Sequence, residues 1–111
     1  MVTTHVVEAG AALTITPIAD SAGLRLVGDI DLATAAALAA ALDELVRGNG
    51  DVHLDLAELR FVDVSGASVV VSAATRLGAD RAIVLHNPPS VLIRILDRFW
   101  PDAAGIQVDV P

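Results

Sequence analysis

The hydrophobic and polar positions of this chain follow two periods, and segments with each period alternate along its length. Alternation at every second residue indicates a strand, whereas apolar residues at i, i+3, i+4 and i+7 indicate an amphipathic helix. Strands are predicted at Ala12–Ile18, Leu24–Gly28, Val52–Leu56, Ala82–His86 and Ile106–Val110, and helices at Leu32–Val46, Ala67–Leu77 and between Pro89 and Trp100. The order β-β-α-β-α-β-α-β predicts an α/β fold in which helices pack on a small mixed sheet.

One stretch, from Asp51 to Leu77, joins a strand to a helix through small polar residues. Open α/β sheets place their sites where a strand ends and a helix begins, so Ser65 in the predicted turn Phe61–Gly66 is the first candidate. Taken alone, Ser65 is explained as an N-cap that satisfies a free helix N–H group. Asp63 either orients the Ser65 hydroxyl or bonds nearby backbone as a turn residue.

Two further aspartates flank the start of the first predicted helix. Asp31 is well placed to cap that helix, because aspartate is a favoured N-cap residue. A pair of carboxylates at i and i+2 beside a helix start is more often a capping arrangement than a catalytic pair. Asp29 therefore remains a candidate for contact with a partner.

Length, composition and charge limit the class of protein. The 111 residues fit one domain, residues 1–111, and the chain has no cysteine. No apolar run is long enough to span a membrane, and Met1–His5 lacks the pattern of a secretory signal, so a cytoplasmic protein is expected. A net charge of −7 with scattered basic residues argues against direct binding of nucleic acid.

The sequence offers no catalytic or cofactor motif. His5, His53 and His86 are far apart and no cysteine pair supports them, so no metal site is expected. Nothing in the sequence places His53 or His86 beside Ser65 with an orienting acid, and the glycine spacing matches no nucleotide-binding loop. We predict a binding protein without a cofactor and not an enzyme.

Three segments resemble the STAS domain, in particular that of bacterial anti-sigma factor antagonists. They are Leu26–Asp31, then Val52–Leu56 with Phe61–Gly66, and finally Ile83–Val91 with Ile95–Asp97. Each segment is a weak signal by itself, but their order and spacing together are specific and cover nearly the whole chain. The resemblance implies a single STAS-like domain.

The resemblance also implies a phosphorylation switch centred on Ser65. In such proteins the Ser or Thr before the Gly is phosphorylated by the partner anti-sigma factor, a serine kinase that brings ATP and magnesium. The resemblance thus adds a third role for Asp63, contact with the kinase-bound metal. The unphosphorylated antagonist holds the anti-sigma factor and frees the sigma factor, and a Ser/Thr phosphatase resets the switch. The predicted partner surface contains Asp29, Asp31, Asp63, Val64, Gly66, Ala67 and Ser68.

This chain departs from the family pattern at two places beside Ser65. Val64 replaces the usual first Ser, and Ala67–Ser68 replace the Leu-Gly that commonly follows. An alternative interpretation is therefore a non-phosphorylated STAS subunit of a signalling or lipid-transport assembly. Ligand sensing in the interior has only the high aliphatic content behind it, which a core explains better.

Overall fold

The strands and helices follow the predicted α/β order with two additional strands. The computed structural model describes residues 7–9, 13–19 and 21–109. The elements are β1 (Val7–Ala9), β2 (Leu13–Pro17), β3 (Gly23–Ile30), α1 (Leu32–Val46), β4 (Val52–Asp55), β5 (Leu59–Val62), α2 (Val64–Leu77), β6 (Ile83–His86), α3 (Ser90–Phe99) and β7 (Ile106–Asp109). The predicted strand start at Ala12, the strand end at Val110 and the segment Met1–His5 lie outside the described residues.

The strands form one mixed sheet in which β3 has two partners along one edge. The central path is β1-β2-β3-β4-β6-β7. Pairing is antiparallel from β1 to β3 and parallel from β3 to β7. β4 pairs with residues 23–25 of β3, while β5 pairs in parallel with residues 28–30 of the same strand. The register shifts between Gly28 and Asp29, so the first half of β3 pairs with β4 and the second half pairs with β5.

The helices cover one face of the sheet and leave the other face polar. Alternate strand residues, among them Leu26, Leu54 and Leu85, are buried with Leu38 of α1 and Val70 of α2 in one aliphatic cluster. The intervening residues face the opposite way, and apart from the buried Val84 most of them are exposed or half-buried. They include Arg25, His53, Asp55, His86 and Asp109.

The second helix begins earlier than its sequence predicts. α2 starts at Val64 with Asp63 as its N-cap, so Ser65 and Gly66 lie in the first turn and not in a preceding loop. The expectation that Ser65 caps this helix is wrong, because the Asp63 side chain already accepts the hydrogen bond from the Gly66 backbone N–H. The predicted turn from Phe61 onward is also corrected, since Phe61 and Val62 end β5.

Candidate functional site

The starts of α1 and α2 lie side by side because the strands before them are paired. Ile30 and Val62 are register partners at the ends of β3 and β5. Each is followed by an aspartate that caps a helix, Asp31 for α1 and Asp63 for α2. The Asp63 backbone N–H donates to the Ile30 carbonyl at 3.1 Å and ties the two strand ends together. The fold therefore brings the predicted motifs around Asp31 and Ser65 to one edge of the sheet.

Asp31 forms a capping box with Thr34, which confirms the predicted cap. Its carboxylate accepts hydrogen bonds from the backbone N–H groups of Ala33 at 2.9 Å and Thr34 at 3.1 Å. The Thr34 hydroxyl oxygen in turn accepts from the Asp31 backbone N–H at 2.9 Å. These bonds satisfy helix donors that would otherwise lack partners, so the Asp31 carboxylate is used mainly in holding the start of α1.

The Ser65 hydroxyl is held by Asp63 at the second position of α2. The hydroxyl donates to Asp63 Oδ1, and the same oxygen accepts from the Gly66 backbone N–H at 3.2 Å. Ser65 is half-buried, and its hydroxyl oxygen retains lone pairs that this hydrogen bond leaves free. Two of the proposed roles of Asp63, orienting Ser65 and bonding turn backbone, are thus fulfilled together.

The Asp63 carboxyl group is stabilised in its ionised form. Partial burial raises the pKa of Asp63, but hydrogen bonds from the Ser65 hydroxyl and from the backbone N–H groups of Gly66 and Ser65 outweigh this effect. The pKa of Asp63 therefore lies below its ordinary value of 3.8. A carboxylate with a lowered pKa is a weak base, so Asp63 is suited to orient the Ser65 hydroxyl and poorly suited to remove its proton.

Gly66 and Ala67 are packing residues in the isolated domain. Ala67 is fully buried, and Gly66 is also buried. A Cβ atom at Gly66 would lie 2.6 Å from Ile30 Cγ2 and 2.7 Å from Val62 Cγ2. Glycine is needed here because the helix backbone rests directly on the ends of β3 and β5.

The remaining predicted contact residues lie at the surface of the same edge. Val64 is 43% exposed and Ser68 is exposed on the next turn of α2. The half-buried Asp29 carboxylate accepts from Arg60 Nη2 at 3.3 Å, an ion pair that joins β3 to the start of β5. Asp29 is therefore partly neutralised before any partner binds.

Two apolar side chains that sequence analysis did not select accompany Val64 at this edge. Leu32, the first residue of α1, is 80% exposed, and Phe61 of β5 is 47% exposed. Leu32 follows the cap Asp31 as Val64 follows the cap Asp63, so the two are equivalent positions on neighbouring helices. That equivalence, an apolar residue directly after each capping aspartate, is the sequence signal that points to Leu32. We call Leu32, Phe61 and Val64 the apolar rim.

The structure brings His53 and His86 to each other. They lie on the paired strands β4 and β6, and His53 Nδ1 is 2.9 Å from His86 Nε2. Asp55, the last residue of β4, accepts from Arg25 Nε at 3.2 Å. The distance between the two histidines in the sequence gives no sign of this contact. It follows only from the pairing of β4 with β6, in which Val52 and Ile83 are register partners.

Within the described residues, no helix has both the length and the apolar character needed to cross a bilayer.

Comparison with known proteins identifies the family. No curated protein matches the chain significantly. The anti-sigma factor antagonist SpoIIAA in its unphosphorylated form is similar in fold, with a TM-score of 0.65 and 16% identity over 88% of each chain. An anti-sigma factor antagonist from Mycobacterium paratuberculosis has a TM-score of 0.59 and 20% identity over 86% of this chain and 83% of its own.

The family model for the STAS domain described as Mlab matches residues 16–100, which include β3 to α3 and hence the whole edge around Ser65. The chain belongs to the STAS domain family.

Proposed function

We propose that this protein is an anti-sigma factor antagonist whose binding is switched by phosphorylation of Ser65. The single observation that carries the proposal is the placement of the Ser65 hydroxyl, oriented by Asp63 in the first turn of α2 and directly after the exposed Val64 of the apolar rim. The fold it shares with antagonists is consistent with this function. The chain supplies the acceptor hydroxyl, and the partner kinase supplies the ATP, the magnesium and the active site.

The unphosphorylated surface suits a partner with an apolar patch. The rim offers exposed apolar area, while Asp29 is paired with Arg60 and Asp31 with helix backbone. The carboxylates that remain at this edge therefore interfere little with an apolar contact. Burying such area on binding is favourable by roughly 25 cal/mol per Å² before the costs of association.

Phosphorylation changes this surface without requiring the domain to unfold. The phosphoryl group replaces the hydroxyl hydrogen that Asp63 accepts, so the Ser65–Asp63 hydrogen bond is lost. It adds roughly −1.5 to −2 charges, which the start of α2 tolerates because helix N-termini favour anions. The same charge beside the apolar rim must be desolvated when a partner binds, and we expect this cost to break the complex.

The acceptor assignment is tested by incubating the protein with a kinase-type anti-sigma factor, ATP and magnesium and mapping the product by mass spectrometry. We expect one phosphoryl group, on Ser65, and none in the Ser65→Ala variant. Modification of Ser68 or Ser72 in place of Ser65 would overturn the assignment.

The binding switch is tested with charge variants. Ser65→Ala should bind the anti-sigma factor as tightly as the unphosphorylated wild type does. Ser65→Asp should bind it tenfold or more weakly, a loss of about 1.4 kcal/mol or greater. Ser90→Asp is the matched control, because Ser90 is an exposed first-turn residue of another helix, α3. Equal affinities of Ser65→Asp and Ser90→Asp would rule out the electrostatic switch.

A second function is favoured by Val64 and by the description of the matching family model. Val64 places an exposed apolar side chain directly beside Ser65, and that model is described as Mlab. The chain would then be a non-phosphorylated STAS subunit of a signalling or lipid-transport assembly that uses the same rim permanently. A stable stoichiometric complex with a partner that is not a kinase, unaffected by ATP, is the result that distinguishes this function.

A further inference from the structure

The face of the sheet that the helices leave uncovered carries a row of charged side chains. Arg25, Asp55, His86 and Asp109 are successive register partners across β3, β4, β6 and β7. His53 lies in the row next to them. A cleft of about 300 Å³ opens there, lined by Ile18, Ser21, His53, Asp55, His86 and Asn87.

Within this row the two histidines and one aspartate form a continuous chain of hydrogen bonds. Asp109 Oδ2 lies 2.8 Å from His86 Nδ1, and His86 Nε2 lies 2.9 Å from His53 Nδ1. The imidazole centroids are 5.2 Å apart, which is the nitrogen–nitrogen distance plus one ring radius on each side. The ring planes differ by 21°, so the rings meet end to end and nearly in one plane. The lone pair of one nitrogen therefore points straight at the other nitrogen.

This geometry suits a shared proton and does not suit a metal ion. A zinc-type ion would need a place about 2.0–2.1 Å from each nitrogen, with both lone pairs directed at it. Two nitrogens 2.9 Å apart whose lone pairs face each other leave no such place between them. Among the described residues, no group of three His, Cys, Asp or Glu side chains is arranged to hold a metal.

The number of protons that the chain can hold follows from the donors and acceptors. Asp109 accepts the Nδ1–H of His86, so in the neutral pair His86 Nε2 accepts the Nδ1–H of His53. One added proton makes the pair a monocation and leaves a hydrogen between the rings, whichever ring carries the charge. A second added proton puts an N–H on both facing nitrogens, which removes the hydrogen bond and opposes two like charges.

We propose that His53 and His86 form a one-proton switch that fastens the edge strand β7 to the sheet through Asp109. The charged groups that face the pair can balance the charge of one added proton but not of two. Asp109 on β7 bonds His86 directly, while Asp55 on β4 is already paired with Arg25 on β3 at 3.2 Å. The other residues that line the cleft, Ile18, Ser21 and Asn87, are uncharged. One negative charge is thus free to balance the first proton, and none is left for a second.

The strand β7 is where loss of this hydrogen-bonded chain has a structural effect. It lies at the end of the sheet path and pairs only with β6 among the described strands. Ile106 is half-buried, while Gln107, Val108 and Asp109 are exposed, so few buried contacts hold it. The second proton sets two like charges on nitrogens 2.9 Å apart. When His86 moves away from His53 to relieve this repulsion, its Nδ1 leaves Asp109, so we expect β7 to open more often and its edge to become accessible.

The proposal is tested by NMR during an acid titration of the intact protein. The ring signals of His53 and His86 should shift together in the first step, because one proton is shared. Amide hydrogen exchange of Gln107 and Asp109, whose N–H groups face β6 in the parallel ladder, should stay protected through that step and rise at least threefold when the second proton enters. In His53→Gln and in His86→Gln, where double charging is impossible, the exchange of β7 should lose this second rise.

Two outcomes would overturn the proposal, and a matched pair of variants guards against indirect effects. Asp109→Asn should alter the ring signals of His86 and, through it, those of His53. The same change at Asp97, an exposed carboxylate of α3 on the other side of the sheet, should alter neither. Independent titration of the two rings, or uptake of two protons with β7 still protected, contradicts the switch.

Discussion

At the scale of single residues, the Ser65 edge depends on one glycine and one carboxylate. Gly66 allows the first turn of α2 to rest on Ile30 and Val62, and Asp63 fixes both the helix start and the hydroxyl. Ile30 and Val62 are themselves 2% and 1% exposed, so neither can move aside freely. The Ser65 hydroxyl is therefore held in place by contacts within the domain.

Gly66→Ala is expected to destabilise the protein by about 1–3 kcal/mol, the usual cost of overpacking a core. The added Cβ would lie within 2.7 Å of both neighbours and would force β3, β5 or α2 to shift. Gly48→Ala is the control, since its Cβ would approach nothing closer than 3.4 Å. Urea unfolding measures both, and equal midpoints for the two variants would contradict this account of Gly66.

In Asp63→Asn, the free energy of unfolding is expected to fall less steeply on acidification than in the wild type. Because the folded pKa of Asp63 lies below the ordinary value of 3.8, its ionisation stabilises the fold above that pH. That contribution is lost as the pH falls through the folded pKa. Asparagine keeps the cap but cannot ionise, so the gap between wild type and variant should shrink on acidification. Unfolding free energies measured from about pH 5 to pH 2.5 test this, and parallel curves would refute it.

At the scale of elements, periodicity predicts the helices and strands that have a regular local pattern. It misses the strand whose place depends on pairing with a segment far away in the sequence. The helices were predicted because their apolar stripes and caps are local, and Asp31 was recognised for the same reason. β5 is not predicted, because its burial pattern does not alternate and because its position depends on pairing with β3 across a register shift. The sequence motif points to Ser65, and the apolar residue after each capping aspartate points to Leu32, whereas the exposure of Phe61 depends on the finished fold and has no local signal.

The paired helix starts predict that Leu32 contributes to partner binding without contributing to stability. Leu32→Ser should weaken the complex by tenfold or more, in the range of an interface hot spot, while the unfolding free energy changes by less than about 0.5 kcal/mol. Phe99→Ser is the control, because Phe99 is 54% exposed at the far end of α3. Calorimetric titration with the partner compares them, and a larger loss for Phe99→Ser would place the interface elsewhere.

At the scale of the whole molecule, the two sites are separated along β3. His53 is the register partner of Gly23 at the start of that strand, and Val62 is the partner of Ile30 at its end. Seven residues of strand at roughly 3.3 Å each place the rows about 23 Å apart. The rows also differ in the face they use, since the histidines lie on the uncovered side and α2 lies on the covered one. The proposed proton switch and the proposed phosphorylation site should therefore act independently.

This independence is tested with a double-mutant cycle on partner binding. The effect of Ser65→Asp on the binding free energy should be the same in wild type and in His86→Gln, within about 0.3–0.5 kcal/mol, as for distant sites. Ser65→Asp combined with Asp63→Asn provides the contrast, because these residues share a hydrogen bond and should deviate from additivity by about 0.5–3 kcal/mol. Coupling between Ser65 and His86 as large as that between Ser65 and Asp63 would mean that β3 links the two sites.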